Sequence, residues 1–435
     1  MTTQEQLDPS TSPASTSADP AQPCGCPDFT MSRRRVLAGA TGAVGLGLMS
    51  SVLGDVHRQV AFGAEGNGNV LVVLSMRGGA DGLSMVVPYN DTALASARPR
   101  IGIPAASLLG KGGTFGLHPS FDPLLPMWAA GTFGAVHAVG LNVPNRSHFQ
   151  AMEVIEDADP GASERRGWIN RLIGLDAIND PAQAVQLGSS MVPTSLYGSE
   201  AVLGLKSLED LSLAGDDPTN KRRRKTALHR VWDSAPGSLG QGVRAALATS
   251  EKLDYLAEPK SPLNGARYPA GDLGDALAET ATLVRANVGA KVVTLDYGSW
   301  DMHTLLGRVD GGSMTTMITE LAACLHAFFL DIGSLSSRVT VVTISEFGRR
   351  LEENGAGGLD HGWGNCMLML GAGVRGRQVH GKWAGLTGTG LKEGDLAVQQ
   401  DYRSVLSEVV RSRFPELDST KVFPDFTPEV LNTMA

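Results

Sequence analysis

The sequence predicts an α/β fold, a mainly parallel central sheet flanked by helices, on three observations. Apolar runs bounded by turn residues recur at 69–76 (NVLVVLSM), 132–139 (TFGAVHAV), 291–295 (KVVTL) and 339–344 (VTVVTI), the pattern of strands buried on both faces. A helix-like stretch at 313–330 separates the last two, and a strand–helix–strand crossover makes its strands parallel neighbours. Polar, glycine-containing loops follow these runs, and open α/β sheets hold their ligands outside the carboxyl ends of the strands.

The chain has 435 residues, 42% of them hydrophobic, which suffices for a large core. A net charge of −8, with no basic face interleaved with aromatics, excludes nucleic acid as an expected partner. The run KRRRK at 221–225 is the exception, and its place between Asp216, Asp217 and a helical pattern reads as a solvated loop or helix start.

The first thirty residues, rich in Ser, Thr, Pro, Ala and Gln, have no apolar period and are expected to be disordered. Ser32-Arg33-Arg34-Arg35-Val36-Leu37 then forms a twin-arginine motif, followed by an apolar stretch at 36–53 and small residues at 61–64. Residues 1–64 therefore read as a disordered n-region plus a twin-arginine export signal. The expected partner is the twin-arginine translocation machinery, and the expected location is the periplasm, cell surface or medium. Gly39, Gly42, Gly45 and Gly47 make the stretch too mildly apolar for a membrane anchor, so no stable span is expected after processing. No strand precedes these glycines, which rules out a dinucleotide fingerprint. Processing would remove four Lys/Arg and five Asp/Glu, taking the net charge from −8 to −7. It would also remove Cys24 and Cys26, leaving Cys324 and Cys366 in apolar runs as buried free thiols.

Residues 65–435 read as a single domain. Past the first strand, Arg77-Gly78-Gly79-Ala80-Asp81-Gly82 places a guanidinium and a carboxylate in a tight turn, which an Asp-Gly turn alone would also explain. After 132–139 comes Asn145-Arg146-Ser147-His148-Phe149, where Ser147 and Gln150 have capping-box spacing for a helix through Glu156. A serine there is also where a nucleophile or anion-binding hydroxyl is held. Residues 160–285, with helical patterns at 167–175 and 276–288, read as helical insertions. The strand at 291–295 ends in Asp296, and Gly298-Ser299-Trp300-Asp301-Met302-His303 follows.

The densest stretch is 339–370, where two apolar runs, 339–344 and 366–370, enclose Glu346, Arg349, Asp360 and His361 in a glycine-rich loop. Asp81, Ser147, Asp301, His303, Glu346 and His361 are thus expected on one sheet edge. These carboxylates and imidazoles, with Asp360 counted among the candidate ligands and no thiolate present, suit a divalent ion such as zinc, manganese or magnesium. Each histidine alone could instead be a hydrogen-bonded loop residue.

These segments, Arg-Gly-Gly-x-Asp-Gly, Ser-His-Phe, Trp-Asp-x-His, Ser-Glu-Phe-Gly-Arg and Asp-His-Gly with the export signal before them, resemble a bacterial domain-of-unknown-function family, number 1501. That family in turn resembles the alkaline phosphatase and sulfatase superfamily. The resemblance implies an alkaline-phosphatase-like fold, with Asp301, His303 and His361 as ligands of one metal and Asp81 and Glu346 as ligands of a second. Ser147 falls at the nucleophile's position and Asp296 at an acidic position that holds magnesium in some members. The chain departs from the superfamily pattern at Glu346, where no imidazole accompanies the carboxylate, and in the short Asp301-to-His303 spacing. The activity implied by the resemblance is that of an exported metal-dependent hydrolase of small phosphate or sulfate esters, with Arg77, Arg146 or Arg349 meeting the anion. The alternative is an exported metal-binding or assembly protein that kept the fold without catalysis.

Overall fold

The computed structural model describes residues 52–53 and 68–435, apart from 143–144, 163–164, 177, 179 and 214–216. The twin-arginine motif, Cys24, Cys26 and most of the apolar stretch after the motif lie outside the described residues.

The main strands are β1 (Val70–Met76), β2 (Phe133–Gly140), β3 (Ala184–Leu187), β4 (Val202–Leu205), β5 (Val292–Tyr297), β6 (Val339–Ile344) and β7 (Asn365–Gly371). They lie in the order β4-β3-β5-β1-β6-β7-β2 within a 10-stranded sheet. Two-residue strands complete it: Val52–Leu53 beside β4, with Val379–His380 and Gln400–Asp401 against β2. Pairing is parallel from β4 through β6, and β7 runs antiparallel to both β6 and β2.

All seven residues of β1 are buried because each face meets a different layer. Val70, Val72, Leu74 and Met76 face one core, and Leu71 and Val73 face the other. The first core takes α5 (Asp272–Ala286) and α6 (Ser313–Ile332). Met314, Ile318, Leu321, Leu325, Phe328 and Ile332 form the buried stripe of α6 at alternating steps of four and three. The second core takes α1 (His148–Asp157), α2 (Trp168–Ile173) and α7 (Tyr402–Arg413), through side chains such as Ile155, Trp168, Val405 and Val409. Cys324 and Cys366 are buried free thiols.

The predicted strands appear within two residues of their expected ends. Residues 160–285 depart from the helical-insertion reading, because they supply β3 and β4 to the main sheet as well as α3 (Pro218–Trp232) and α4 (Gly237–Leu253). The basic run 221–225 lies inside α3, whose N-terminus is capped by Asp217 accepting from Thr219 and Asn220; no residue of α3 is buried.

The topology decides where chemistry collects. The carboxyl ends of β1, β5, β6 and β2 point to one edge, and antiparallel β7 begins there. That edge carries the loops 77–82, 298–303, 345–349 and 145–149, and the segment 360–364.

Candidate metal centre

The loops are locked before any ligand is considered. Gly78 and Gly79 adopt φ of +112° and +69°, and a Cβ on Gly78 would lie 2.6 Å from the Asp301 nitrogen, so only glycine lets the two loops meet. Their successive amides donate to the Glu346 carboxylate at 2.8 and 2.7 Å. Arg349, 2% exposed, donates to the carbonyls of Gly78, Gly79, Trp300 and Leu359 and, at 2.7 Å, to Asp301 Oδ1. It is an internal strut, with its guanidinium spent on protein acceptors.

Asp301 Oδ1 is the meeting point. It lies 2.9 Å from His303 Nε2, 3.2 Å from His361 Nε2 and 3.5 Å from His148 Nε2. His361 Nε2 is also 3.1 Å from His148 Nε2 and 3.2 Å from His303 Nε2. Burial opposes ionisation of Asp301, but the hydrogen bond and charge of Arg349, with His361 and His303, hold its carboxyl down at about 2.

Hydrogen bonds on the far side of each ring assign the tautomers. His361 Nδ1 meets the Arg146 carbonyl at 3.0 Å, an acceptor, so Nδ1 carries the hydrogen. His303 Nδ1 meets Asp360 Oδ1 at 2.7 Å, with the same result. With Nδ1 turned to an acceptor on each ring, the His303 and His361 Nε2 atoms stand 3.2 Å apart and both face Asp301 Oδ1, an arrangement that a cation among them would satisfy. Burial, followed by the charges of Arg349 and His148, outweighs the hydrogen bonds to Asp301 and Arg146 and lowers the His361 pKa. His148 Nδ1 is buried with no hydrogen-bond partner among the described residues, and Glu346 Oε1 lies 3.7 Å away. Phe347 packs against both rings, 4.9 Å from His148 and 4.6 Å from His361 between centroids.

The donor set fits a metal ion. Four ligands about 2.05 Å from a tetrahedral ion stand about 3.3 Å apart, and the separations that involve Asp301 Oδ1 or His361 Nε2 run from 2.9 to 3.5 Å. The ligand atoms of His148, Asp301 and His361 all lie within 4.8 Å of one another, and His303 joins them through Asp301 and His361. Asp360, expected from the sequence to be a ligand, orients His303 instead, as second-layer carboxylates do at metal histidines. Solvent reaches the cluster, since the side chains of Asp301 and His303 are 44% and 42% exposed.

Other expected site residues fall elsewhere. Asp81, 2% exposed, gives both oxygens to Arg98, at 2.5 and 3.0 Å, which makes it a buried ion-pair partner. Asp296 accepts from Arg77 at 2.7 Å, and Glu156 takes the same guanidinium at 2.8 Å. Glu346 holds the first loop and backs His148. Ser147 is the exposed N-cap of α1, and its side chain makes no cap bond; Gln150 accepts from Asn145, so the capping box does not form. Arg146 pairs with Asp395 at 2.9 Å and stacks 3.7 Å over Trp363. Sequence reasoning misses His148 as a candidate ligand. Its one mark is its place directly after Ser147, at a helix start beyond a sheet strand.

A family model described as "Protein of unknown function (DUF1501)" matches residues 130–400. The chain belongs to this family. The DUF1501 match contains His148, Asp301, His303, Glu346, Asp360 and His361, while Arg77 and Asp81 precede it. No curated protein matches the chain. Among solved structures, a sulfatase from Pseudoalteromonas sp. matches at 12% identity and a TM-score of 0.33, covering 85% of this chain and 73% of that one. A protein in the alkaline phosphatase superfamily from Vibrio parahaemolyticus matches at 10% identity and a TM-score of 0.30, covering 78% and 71%.

Proposed function

We propose that this DUF1501 protein is an exported, metal-dependent hydrolase of phosphate or sulfate esters, with His148, Asp301, His303 and His361 holding one divalent ion. The observation that carries the reading is the convergence of three imidazole Nε2 atoms within 3.5 Å of one Asp301 oxygen, on a solvent-open sheet edge. A set dominated by imidazole favours zinc over magnesium within the expected ions. Such an ion would polarise an ester oxygen and acidify a neighbouring hydroxyl. Asp360 and the Arg146 carbonyl keep His303 and His361 in the ligand tautomer. Ser147, next to His148 at the N-terminus of α1, offers an exposed hydroxyl where the helix dipole favours negative charge. Glu346 and Asp81 are engaged within the fold, so the reading needs one ion rather than two.

One observation favours the non-catalytic alternative, a metal-binding protein without turnover. Arg77 and Arg349 are tied to internal carboxylates and carbonyls, so neither greets a substrate anion. Turnover of a panel of phosphate and sulfate monoesters by zinc- or manganese-loaded protein separates the two. The hydrolase reading expects turnover that chelation and Asp301→Asn abolish and that Ser147→Ala reduces. No turnover of any ester by fully loaded protein leaves the binding protein.

A further inference from the structure

Beside the histidine cluster lies a group of charges that the ester reading does not use. Asp395, in the short hairpin of Leu391–Lys392 and Asp395–Leu396, is buried, with a side chain 1% exposed. Its oxygens accept from Arg146 Nη2 at 2.9 Å, from Arg350 Nε at 3.3 Å and from the Leu351 amide at 3.1 Å. Arg146 Cζ stands 3.7 Å over the Trp363 ring, and Lys392 Nζ stands 5.4 Å from the same ring. Glu393, 3.8 Å from Arg146, is 62% exposed and well solvated. Three cations therefore gather around Asp395 and Glu393, the second screened by water, and the half-exposed Asp360 carboxylate also feels the charge of Arg350.

The group is built onto the metal ligands. The Arg146 carbonyl takes His361 Nδ1, the Arg350 amide donates to the Asp360 carbonyl at 2.9 Å, and Trp363 follows His361 by two residues. The Gly364 amide ties the hairpin to the same segment through the Leu396 carbonyl at 2.8 Å. The side chains of Arg146 and Arg350 are 34% and 43% exposed. Among the described residues, Arg350 uses only Nε in these bonds and Arg146 only Nη2, so both forks keep donors for an oxyanion.

We propose that Arg146, Arg350 and Lys392, gathered around Trp363, form a second anion subsite that receives a further negatively charged group of the substrate, with Asp395 as the positioning residue. The substrate class is then an ester bearing at least two anionic groups. This rests on the hydrolase reading for the word substrate, while the subsite itself is tested by binding alone.

The test is calorimetric titration of orthophosphate and of inorganic tripolyphosphate into metal-loaded and chelator-treated protein. Metal-loaded wild type is expected to bind tripolyphosphate at least about tenfold more tightly than orthophosphate. Arg350→Gln, at a half-exposed position, is expected to remove most of that preference and leave orthophosphate unchanged. Lys392→Gln removes a smaller part. Equal binding of the two anions by wild type, or a preference untouched by both variants, overturns the subsite. If chelation changes neither anion's binding but the Arg350-dependent preference persists, the metal reading falls and the subsite stands.

Discussion

Two aspartates in this molecule sit in similar surroundings by sequence, each in a glycine-containing loop just past a parallel strand, yet they do opposite work. Asp81, beyond β1, is 2% exposed and gives both oxygens to Arg98, which also meets Ser84 and the carbonyls of Arg350 and Leu351. Asp301, beyond β5, keeps a 44% exposed side chain and gathers three imidazoles around one oxygen. What separates them is how many guanidinium donors reach the carboxylate. A bidentate arginine saturates Asp81, whereas Arg349 reaches Asp301 with one nitrogen and leaves the rest of the carboxylate for a ligand. Position past a strand end thus nominates a site residue, and the neighbouring arginine decides its role.

The largest effect that would sharpen the contrast is Arg98→Ala. It strands a buried carboxylate whose charged form Arg98 favours against the cost of burial, and should destabilise the fold by about 3–5 kcal/mol, read as a lower urea midpoint. The equivalent cut at the open site, His148→Ala, should shift metal-free stability by under about 1 kcal/mol while releasing the ion. Similar unfolding losses in both variants would break the comparison.

Acid gives a smaller separation. His137, 1% exposed and stacked on Phe115, has its pKa pushed down by burial from 6.5 to about 4. The folded state holds it neutral while the unfolded chain protonates, so its contribution of roughly 3 kcal/mol is full above pH 6.5 and lost as pH falls to about 4. Asp301, held at about 2 against an ordinary 3.8, contributes above that ordinary value and loses its share only as pH falls toward 2. Burial also pushes His118 down to about 4, so urea unfolding at pH 7 and 4.5 should show a decline that His137→Gln reduces by about half and Asp301→Asn leaves unchanged.

The smallest expected change in structure belongs to Asp360→Asn. Its carboxyl, kept ionised chiefly by the hydrogen bond from His303, lies half exposed at the rim. The variant should keep wild-type stability and lose metal affinity ten- to a hundredfold, measured by competition with a chromogenic chelator.

How much of this was legible depends on the same physics. The strands β1, β2, β5, β6 and β7 could be read because burial on both faces demands an unbroken apolar run. The four-residue β3 and β4 lie among glycines, prolines and serines, and leave too short a run to separate from loop. Asp301, His303 and His361 could be placed on one edge because strand direction fixes where loops emerge. The fate of Asp81 could not, since Arg98 arrives from a loop with no periodic link to it. His148 carries no mark of its own beside Ser147, and it took the meeting of the β2 and β7 ends to bring it to His361.

Metal content of the purified, reconstituted protein by plasma mass spectrometry, beside His148→Ala and Asp301→Ala variants confirmed as folded, tests the central claim most directly. A stoichiometric divalent ion is expected in wild type, with its loss in both variants. Wild-type protein without an ion after reconstitution, or a His148→Ala variant that keeps a full complement, would contradict it.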